Sequence, residues 1–161
     1  MLIRDANIND FARILHLNEE SVHFLSPLSL PRLQALHAEA NYHLVIELEG
    51  KIAGFLLAFR EGTQYDSSNY QWFVNKFGQF LYIDRVVVST PHRGRGLGNK
   101  LYDDVFAYAR NNGEIRLTCE FDIEPINEAS RGFHQRYGFA EVGTQQTSDG
   151  KKLVSLQAVT L

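Results

Sequence analysis

The sequence predicts a mixed α/β fold with about seven strands and about four helices. Short runs of β-branched and aromatic residues alternate with segments in which apolar residues recur at helical spacing. Turn-forming residues separate these segments, and no repeat, low-complexity tract or linker divides them. The length of 161 residues suits one substantial core, so we expect residues 1–161 to form a single domain.

The first 60 residues predict a strand, two helices and a hairpin. Asn9 and Asp10 supply a helix start, and apolar residues follow them at helical spacing. Pro31 can occupy the first turn of a second helix. A tight turn at Glu49-Gly50 joins two apolar runs, which predicts that they pair as a β-hairpin. These elements are strand 2–4, a helix from residue 9, a helix from 31 to 40, and strands 42–48 and 51–60.

The rest of the chain predicts four strands and two helices. Residues 61–79 are rich in turn formers and aromatic residues and are interpreted as a long loop. Gly138 ends the last predicted helix, and Ser148-Asp149-Gly150 is typical of a hairpin turn. The elements are strand 80–89, helix 96–111, strand 115–121, helix 127–137, and strands 140–147 and 152–161. The predicted order is β-α-α-β-β-β-α-β-α-β-β.

Composition excludes several classes of protein. The formal net charge of −3 provides no overall field for nucleic acid or an anionic membrane. No window approaches the ~20 apolar residues of a membrane span, and the N-terminus lacks the apolar stretch of a signal peptide. The single cysteine, Cys119, excludes an internal disulfide and a cysteine-based metal cluster, and we interpret it as a small core residue. We therefore expect a cytoplasmic protein without a metal.

A glycine-spaced loop between strand 80–89 and helix 96–111 is the most informative stretch. Glycines let the backbone approach a ligand closely, and a helix N-terminus presents amide N–H groups to an anion. Arg93, Arg95 and Lys100 add positive charge at the same place. The stretch therefore predicts a site for a phosphorylated cofactor. The alternative is a glycine-rich helix start with a solvated basic pair.

Spacing distinguishes this loop from other phosphate-binding loops. A dinucleotide fingerprint reads G-x-G-x-x-G, whereas here Gly94, Gly96 and Gly98 place the third glycine too early. A P-loop requires Lys-Ser/Thr after its last glycine, and Gly98 is followed by Asn99-Lys100-Leu101. The remaining pattern, Arg93-x-x-Gly96-x-Gly98, resembles the R/Q-x-x-G-x-G/A pyrophosphate loop of the GNAT superfamily of acyl-CoA N-acyltransferases.

A second motif extends this resemblance over nearly the whole chain. Residues 127–139 resemble the family pattern N-x-x-[AS]-x-x-[FL]-[YH]-x-x-x-G-F, and the predicted order of elements is that of the family. The stretch from Tyr82 to Val88 also resembles a bacterial subgroup of predicted acetyltransferases. The resemblance implies a central, twisted, mixed but mostly antiparallel sheet. It also implies acetyl-CoA as cofactor and an amine as acceptor. Because dimers are common in the superfamily, it allows a homodimer.

The resemblance implies a cofactor role for three parts of the chain. The amides of the loop would hold the pyrophosphate, and the strand before it would bond the pantetheine arm through its backbone if that strand and the next one diverge. Asn127 matches a family asparagine that contacts the pantetheine region, although a helix N-cap explains it equally well. The implied cofactor-binding residues are Val86, Val87, Val88, Arg93, Gly94, Arg95, Gly96, Leu97, Gly98, Asn99, Asn127, Ser130, Phe133 and His134.

Two residues are candidates for the acid that serves the leaving thiolate. His134 stands where many family members have a tyrosine, and both side chains can donate a proton. The alternative is a half-buried histidine that bonds the backbone. Tyr137, one helical turn further on, is a second candidate donor, and packing against the core is its alternative explanation.

The general base has two carboxylate candidates. Asp84 lies within an apolar strand, where a carboxylate requires a partner or a task. Its alternative is an ion pair with an arginine such as Arg85 or Arg60. Glu120, at the end of the following predicted strand, could reach the cleft through water, and a structural salt bridge is its alternative. A chain of waters is a further route for the proton.

Acceptor binding is predicted for the aromatic stretch 60–79 and for the segment between the first two helices. Aromatic rings and acids can surround a cationic amine, although the same rings could cap the core or form a dimer contact. The predicted substrate-binding residues are Phe24, Tyr65, Tyr70, Trp72 and Asp84. The sequence therefore predicts an acetyl-CoA-dependent N-acetyltransferase for a small or amino-acid-like primary amine. The alternative is a non-catalytic sensor of acyl-CoA with the same fold.

Overall fold

The computed structural model describes residues 1–161, and seven strands and five α-helices follow one another along them. Short 3₁₀ turns, Ile8–Asp10 and Thr90–His92, precede the first and fourth helices. The elements are β1 (Leu2–Asp5), α1 (Phe11–Glu19), α2 (Leu30–Glu39), β2 (Tyr42–Leu48), β3 (Lys51–Arg60), α3 (Ser68–Lys76), β4 (Leu81–Val88), α4 (Leu97–Asn111), β5 (Arg116–Glu124), α5 (Glu128–Arg136), β6 (Ala140–Gln146) and β7 (Leu153–Thr160).

The strands form a sheet in the order β1-β2-β3-β4-β5-β7-β6. The pairs β1/β2, β2/β3, β5/β7 and β6/β7 are antiparallel, whereas β4 and β5 are parallel. The parallel register joins Leu81 to Leu117 and Tyr82 to Thr118, although β4 continues to Val88 and β5 to Glu124. The predicted mixed, mostly antiparallel sheet of seven strands is therefore confirmed.

Helix α3 corrects the prediction of a loop over residues 61–79. Ser67 caps this helix by accepting the backbone N–H of Tyr70, and the buried rings of Tyr70 and Phe73 hold one face against the protein. The predicted four helices become five for this reason. Strand β5 also continues beyond the predicted residue 121, because Asp122 and Glu124 pair with β7 across a bulge.

The chain divides into two compact units. The first unit contains Met1–Phe59 and Ile83–Tyr108, and the second contains Arg60–Tyr82 and Ala109–Leu161. Each has its own buried apolar side chains, such as Ile14 and Phe55 in the first and Phe73 and Leu156 in the second. The expectation of a single domain stays a prediction. None of the helices combines the length and apolar character that a membrane crossing requires.

Candidate active site

The glycine loop of the first unit has the backbone geometry of an anion site. Gly94 and Gly96 adopt φ angles of 77° and 79°, a conformation that glycine reaches without a steric penalty. The backbone N–H of Lys100 donates to the carbonyl oxygen of Gly96 at 3.1 Å, which begins the α-helical pattern of α4. The preceding N–H groups of Leu97 and Gly98 therefore have no acceptor within the helix. Such groups, with the helix dipole, favour a bound anion.

The space and charge beside this loop fit a diphosphate. A Cβ atom built on Gly94 or on Gly96 would meet no atom within 4 Å, so the side facing away from the chain is open. Arg93 and Arg95 are exposed, while Leu97 is buried and anchors the start of α4. The loop thus combines amide donors, open space and guanidinium groups, which is the donor set that a diphosphate requires.

The end of β4 leads into this loop and is fixed against β3. A Cβ atom on Gly54 of β3 would lie 2.6 Å from the carbonyl oxygen of Val87, so only glycine permits this approach. The backbone N–H of Ser89 donates to the carbonyl of Ala53 at 2.7 Å. Val87 is buried, and its predicted companions in cofactor binding, Val86 and Val88, are half-buried. Their roles toward the pantetheine arm stay predictions.

Asp84 of β4 lies in a buried ion pair. Its Oδ2 atom is 2.7 Å from Nε of Arg85, and the two side chains are only 5% and 4% exposed. Arg85 also donates to Oδ1 of Asn18 at 3.0 Å and to the carbonyl and hydroxyl oxygens of Ser26 at 3.3 and 3.1 Å. The ion pair with Arg85, which was the alternative explanation for Asp84, is thus present. The role of Asp84 as a base or substrate ligand stays a prediction.

In the second unit, Glu120 accepts a hydrogen bond from a buried tyrosine. The hydroxyl of Tyr82 donates to the two carboxylate oxygens of Glu120, with distances of 2.9 and 2.7 Å. Tyr70 and Phe73 pack on the ring of Tyr82, each with ring centres 5.7 Å apart. Glu120 is half-buried, and its carboxyl group is held in place by the phenol of Tyr82.

His134 of α5 is buried and bonds the backbone. Its Nδ1 atom lies 2.7 Å from the carbonyl oxygen of Ser130, so Nδ1 carries the proton and donates it. The ring stacks on Phe121 with centres 5.7 Å apart. Burial lowers the pKa of His134 below its ordinary value of 6.5, and the neutral ring therefore dominates at pH 7. The predicted alternative, a histidine that bonds the backbone, is what this geometry shows, and the acid role stays a prediction.

The neighbouring residues of α5 have structural contacts of their own. Asn127 caps the helix, since its Oδ1 atom accepts the backbone N–H of Ser130 at 3.2 Å. The ring of Phe133 lies 5.1 Å from that of Tyr137, which ends the helix. Cys119 is buried in β5, and burial raises the pKa of its thiol, as expected for a core residue. The cofactor roles of Asn127, Ser130 and Phe133 stay predictions.

The aromatic residues predicted to bind the acceptor fall into two groups. Tyr65 and Tyr70 are buried, and the hydroxyl of Tyr70 accepts the N–H of Thr63 and bonds the carbonyl of Arg60. Trp72 is half-buried over Gly143, whereas Phe24 in the first unit is 53% exposed. Burial of the two tyrosines favours the alternative that these rings cap the core.

Sequence reasoning missed two features of the site. The hydrogen bonds of Arg85 to Asn18 and Ser26 join residues far apart in the chain. The available signal was the position of Arg85 on the buried face of β4, where a guanidinium requires polar partners. Helix α3 was missed although Tyr70, Phe73 and Phe77 recur at helical spacing, which was the available signal.

A family model described as the acetyltransferase (GNAT) family matches residues 8–139, a range that includes both the glycine loop and α5. The chain therefore belongs to the acetyltransferase (GNAT) family. It is an acyl-CoA-dependent acetyltransferase, and its cofactor is acetyl-CoA. No curated protein sequence matches it.

Several solved structures have the same fold. Ard1 from Thermoplasma volcanium is 18% identical with a TM-score of 0.80, over 99% of this chain and 97% of that one. The ribosomal-protein-S18-alanine N-acetyltransferase from Escherichia coli is 16% identical with a TM-score of 0.75, over 99% and 92%. The putative acetyltransferase yncA from Salmonella typhimurium, solved with its cofactor acetyl-CoA, is 20% identical with a TM-score of 0.75, over 100% and 94%. These likenesses support the fold.

Proposed function

We propose that this enzyme transfers the acetyl group of acetyl-CoA directly to the primary amine of a small molecule or an amino-acid-like acceptor. The observation that carries the proposal is the hydrogen bond from Tyr82 to Glu120, which holds this carboxyl group in place on β5. A primary alkylamine, with an ordinary pKa of ~10.4, is mostly protonated at neutral pH and must lose a proton before it attacks a carbonyl. Glu120 is suited to take that proton, directly or through water.

The glycine loop of the first unit supports the cofactor half of the proposal. Acetyl-CoA supplies an activated thioester, so neither a metal nor a protein nucleophile is required. The amides from Arg93 to Gly98 and the exposed guanidinium of Arg95 would hold its diphosphate. The backbone from Val86 to Val88 would bond the pantetheine arm.

His134 is proposed to serve the leaving thiolate, with Tyr137 as the second candidate. The Nδ1 proton of His134 is donated to Ser130, so only the imidazolium form offers a second proton at Nε2. Burial disfavours that cation, and acid catalysis by this ring would therefore be strongest at low pH.

Phe24 and Trp72 are proposed to contact the acceptor, because their rings keep exposed surface that a cationic amine could approach. Tyr65 and Tyr70 are buried and would need to move before they could contribute. The ribosomal-protein-alanine N-acetyltransferases from Escherichia coli and Brucella melitensis share this fold. A peptide that begins with alanine therefore belongs among the amines tested.

The deciding experiment measures release of the CoA thiol from acetyl-CoA across a panel of primary amines, amino acids and alanine-initiated peptides. We expect turnover with at least one amine and at least a 100-fold lower kcat for Glu120→Gln, which keeps the size of the side chain but cannot act as a base. Glu124→Gln, at the exposed end of the same strand, is the matched control. Tight binding of acetyl-CoA with no turnover for any amine would favour the sensor instead.

A further inference from the structure

The segment that follows α1 is bonded to the chain immediately before the glycine loop. Oε2 of Glu20 accepts the backbone N–H of Thr90 at 3.1 Å and its hydroxyl at 3.2 Å. Nη2 of Arg93 donates to the hydroxyl of Ser21 at 3.1 Å. All four residues belong to the first unit. Two neighbouring residues, Glu20 and Ser21, thus hold both ends of the stretch 90–93, and we call them the latch.

The same stretch is fixed by the end of β4 as well. Ser89 is fully buried, and its hydroxyl lies 2.5 Å from Nδ1 of His92. Nε of Arg93 donates to the carbonyl oxygen of Val88 at 3.2 Å. The guanidinium of Arg93 therefore joins the strand to the latch. Residues 90–93 are thus held on two sides immediately before Gly94.

The other end of the segment is bonded to β4. The carbonyl oxygen of Ser26 accepts from Nδ2 of Asn18 at 3.0 Å and from Nη1 of Arg85 at 3.3 Å. The exposed ring of Phe24 lies in the chain between this point and the latch. The segment that carries a proposed acceptor contact is thus joined to the cofactor loop at one end and to β4 at the other.

We propose that Glu20 and Ser21 are positioning residues of the cofactor loop, which orient its amides for the diphosphate of acetyl-CoA and order the segment bearing Phe24 together with it. This inference rests on the proposed binding of the diphosphate by the loop. Neither residue needs to touch the cofactor. Their effect passes through Thr90 and Arg93 to the backbone that follows.

The charge of Glu20 makes the inference easy to separate from simple electrostatics. The N–H of Thr90 lowers the pKa of Glu20, so the side chain is a carboxylate at neutral pH. A negative charge near an anion site opposes binding of the anion. Removal of Glu20 should therefore strengthen acetyl-CoA binding if only its charge matters, and weaken it if its hydrogen bonds orient the loop.

The test measures the Kd of acetyl-CoA by calorimetry for Glu20→Ala and Glu20→Gln. Both variants remove the charge, but glutamine keeps an oxygen that can accept from Thr90. We expect Kd to rise about three- to tenfold for Glu20→Ala and less for Glu20→Gln. Ser21→Ala should raise Kd as well, through the lost contact with Arg93. Glu19→Ala, with the same change of charge at an exposed neighbouring position, is the matched control.

Hydrogen exchange of the ligand-free protein gives a second readout that does not depend on the cofactor. We expect the amides of residues 90–98 to exchange faster in Glu20→Ala than in the wild type, with little change in Glu20→Gln. Two results would overturn the inference: unchanged hydrogen exchange in both Glu20→Ala and Glu20→Gln, or an equally lowered Kd of acetyl-CoA in these two variants. A wild-type protein that does not bind acetyl-CoA would instead contradict the proposed diphosphate site, while the exchange data would still decide whether the latch holds the loop.

Discussion

At the scale of single residues, Gly96 gives the most direct test of the cofactor loop. Its φ of 79° is strained for any side chain and most of all for a β-branched one, at about 1–3 kcal/mol. A Cβ atom there meets no protein atom, so it would project into the space proposed for the diphosphate. We expect Gly96→Val to raise the Kd of acetyl-CoA more than tenfold while the protein remains folded.

Gly62 provides a matched control for this substitution. It has a φ of 88° and equally open surroundings, but it lies in the turn after β3. Gly62→Val should cost similar stability in thermal unfolding and leave the Kd unchanged. Equal affinity of Gly96→Val and the wild type would contradict the loop as the diphosphate site.

His134 connects a buried side chain to the pH dependence of the reaction. Because burial lowers its pKa below 6.5, the imidazolium form is lost as pH rises through that lowered value. If His134 is the acid, kcat of the wild type falls over that range, and His134→Phe removes this decline and lowers kcat about 100-fold. The affinity for acetyl-CoA should change much less.

Steady-state kinetics from pH 5 to 8, together with calorimetry, measure both effects. Tyr137→Phe is the parallel variant. It removes the hydroxyl of the second candidate acid and keeps the ring that packs on Phe133. An unchanged pH profile in His134→Phe would show that the ring only packs against Phe121.

The side chains around Asp84 show where sequence reasoning stops at this scale. The sequence offered Arg85 and Arg60 as partners of Asp84 and could not choose between them, because neighbouring residues of a strand point to opposite faces; the structure contains the pair with Arg85. It also cannot show that the same guanidinium reaches Asn18 and Ser26, because these contacts depend on tertiary packing. The glycine loop, in contrast, was predictable because its chemistry is local to a few consecutive residues.

At the scale of elements, the packing of α3 on β6 depends on a missing side chain. A Cβ atom on Gly143 would lie 2.4 Å from Cζ2 of Trp72, so the ring occupies the space that any other residue would need. Gly143→Ala must therefore displace the ring of Trp72 from its place over β6, and we expect a loss of about 1–3 kcal/mol in the free energy of unfolding.

Chemical denaturation measures this loss, and Gly132→Ala is the control. Gly132 lies within α5, where an added Cβ atom would meet only Nη1 of Arg136 at an ordinary 3.6 Å. That substitution should stabilise the protein by about 0.5–1 kcal/mol, since alanine favours a helix. Combining Gly143→Ala with Trp72→Leu should recover part of the loss. A neutral effect of Gly143→Ala alone would show that α3 is not seated on this glycine.

The contact of α2 with β2 makes stability sensitive to acid. Nδ1 of His43 lies 2.8 Å from Nδ1 of His37, and burial together with repulsion from His37 lowers the pKa of His43 to about 4, despite the opposing effect of Asp10. As pH falls below the ordinary pKa of 6.5, His43 binds a proton in the unfolded chain but stays neutral in the folded chain. Stability therefore falls between pH 6.5 and 4, by up to about 3 kcal/mol.

Replacement of His43 by phenylalanine removes this titration and keeps the aromatic contact with Phe55. We expect the unfolding free energy of His43→Phe to decline less than that of the wild type between pH 6.5 and 4. Denaturation midpoints at several pH values measure the difference. His16→Gln, at an exposed site on α1, should follow the wild-type curve, and parallel curves for all three proteins would contradict the assignment.

Most elements were predictable because their signals are local. The bounds of β2 and β3 agree with the sequence, since a left-handed turn at Glu49-Gly50 separates two continuous apolar runs. Helix α3 was not predicted, because its aromatic residues are equally typical of strands and loops. Its N-cap, Ser67, also lies among other turn-forming residues. The helical spacing of Tyr70 and Phe73 was the one local signal, and the burial of these two rings in the second unit fixes the helix.

At the scale of the whole molecule, the boundaries between the two compact units predict how the chain unfolds. The chain passes from one unit to the other after Phe59, Tyr82 and Tyr108. These three positions lie inside β3, β4 and α4 rather than in exposed linkers. Independent domains are joined through flexible segments that carry few hydrogen bonds, whereas a break within a strand or helix disrupts regular structure on both sides.

We therefore expect one cooperative unfolding transition, with equal calorimetric and van't Hoff enthalpies. Because acetyl-CoA binds the folded chain, it should shift this whole transition to higher temperature. At a ligand concentration 100 times Kd, the free energy of unfolding should rise by about 2.7 kcal/mol. Differential scanning calorimetry with and without acetyl-CoA measures both quantities. At the same acetyl-CoA concentration, Gly96→Val should reduce the stabilisation to about 1.4 kcal/mol or less without splitting the transition. Two separate transitions, of which acetyl-CoA raises only one, would contradict the single-domain prediction, because a ligand stabilises only the cooperative unit whose unfolding destroys its site.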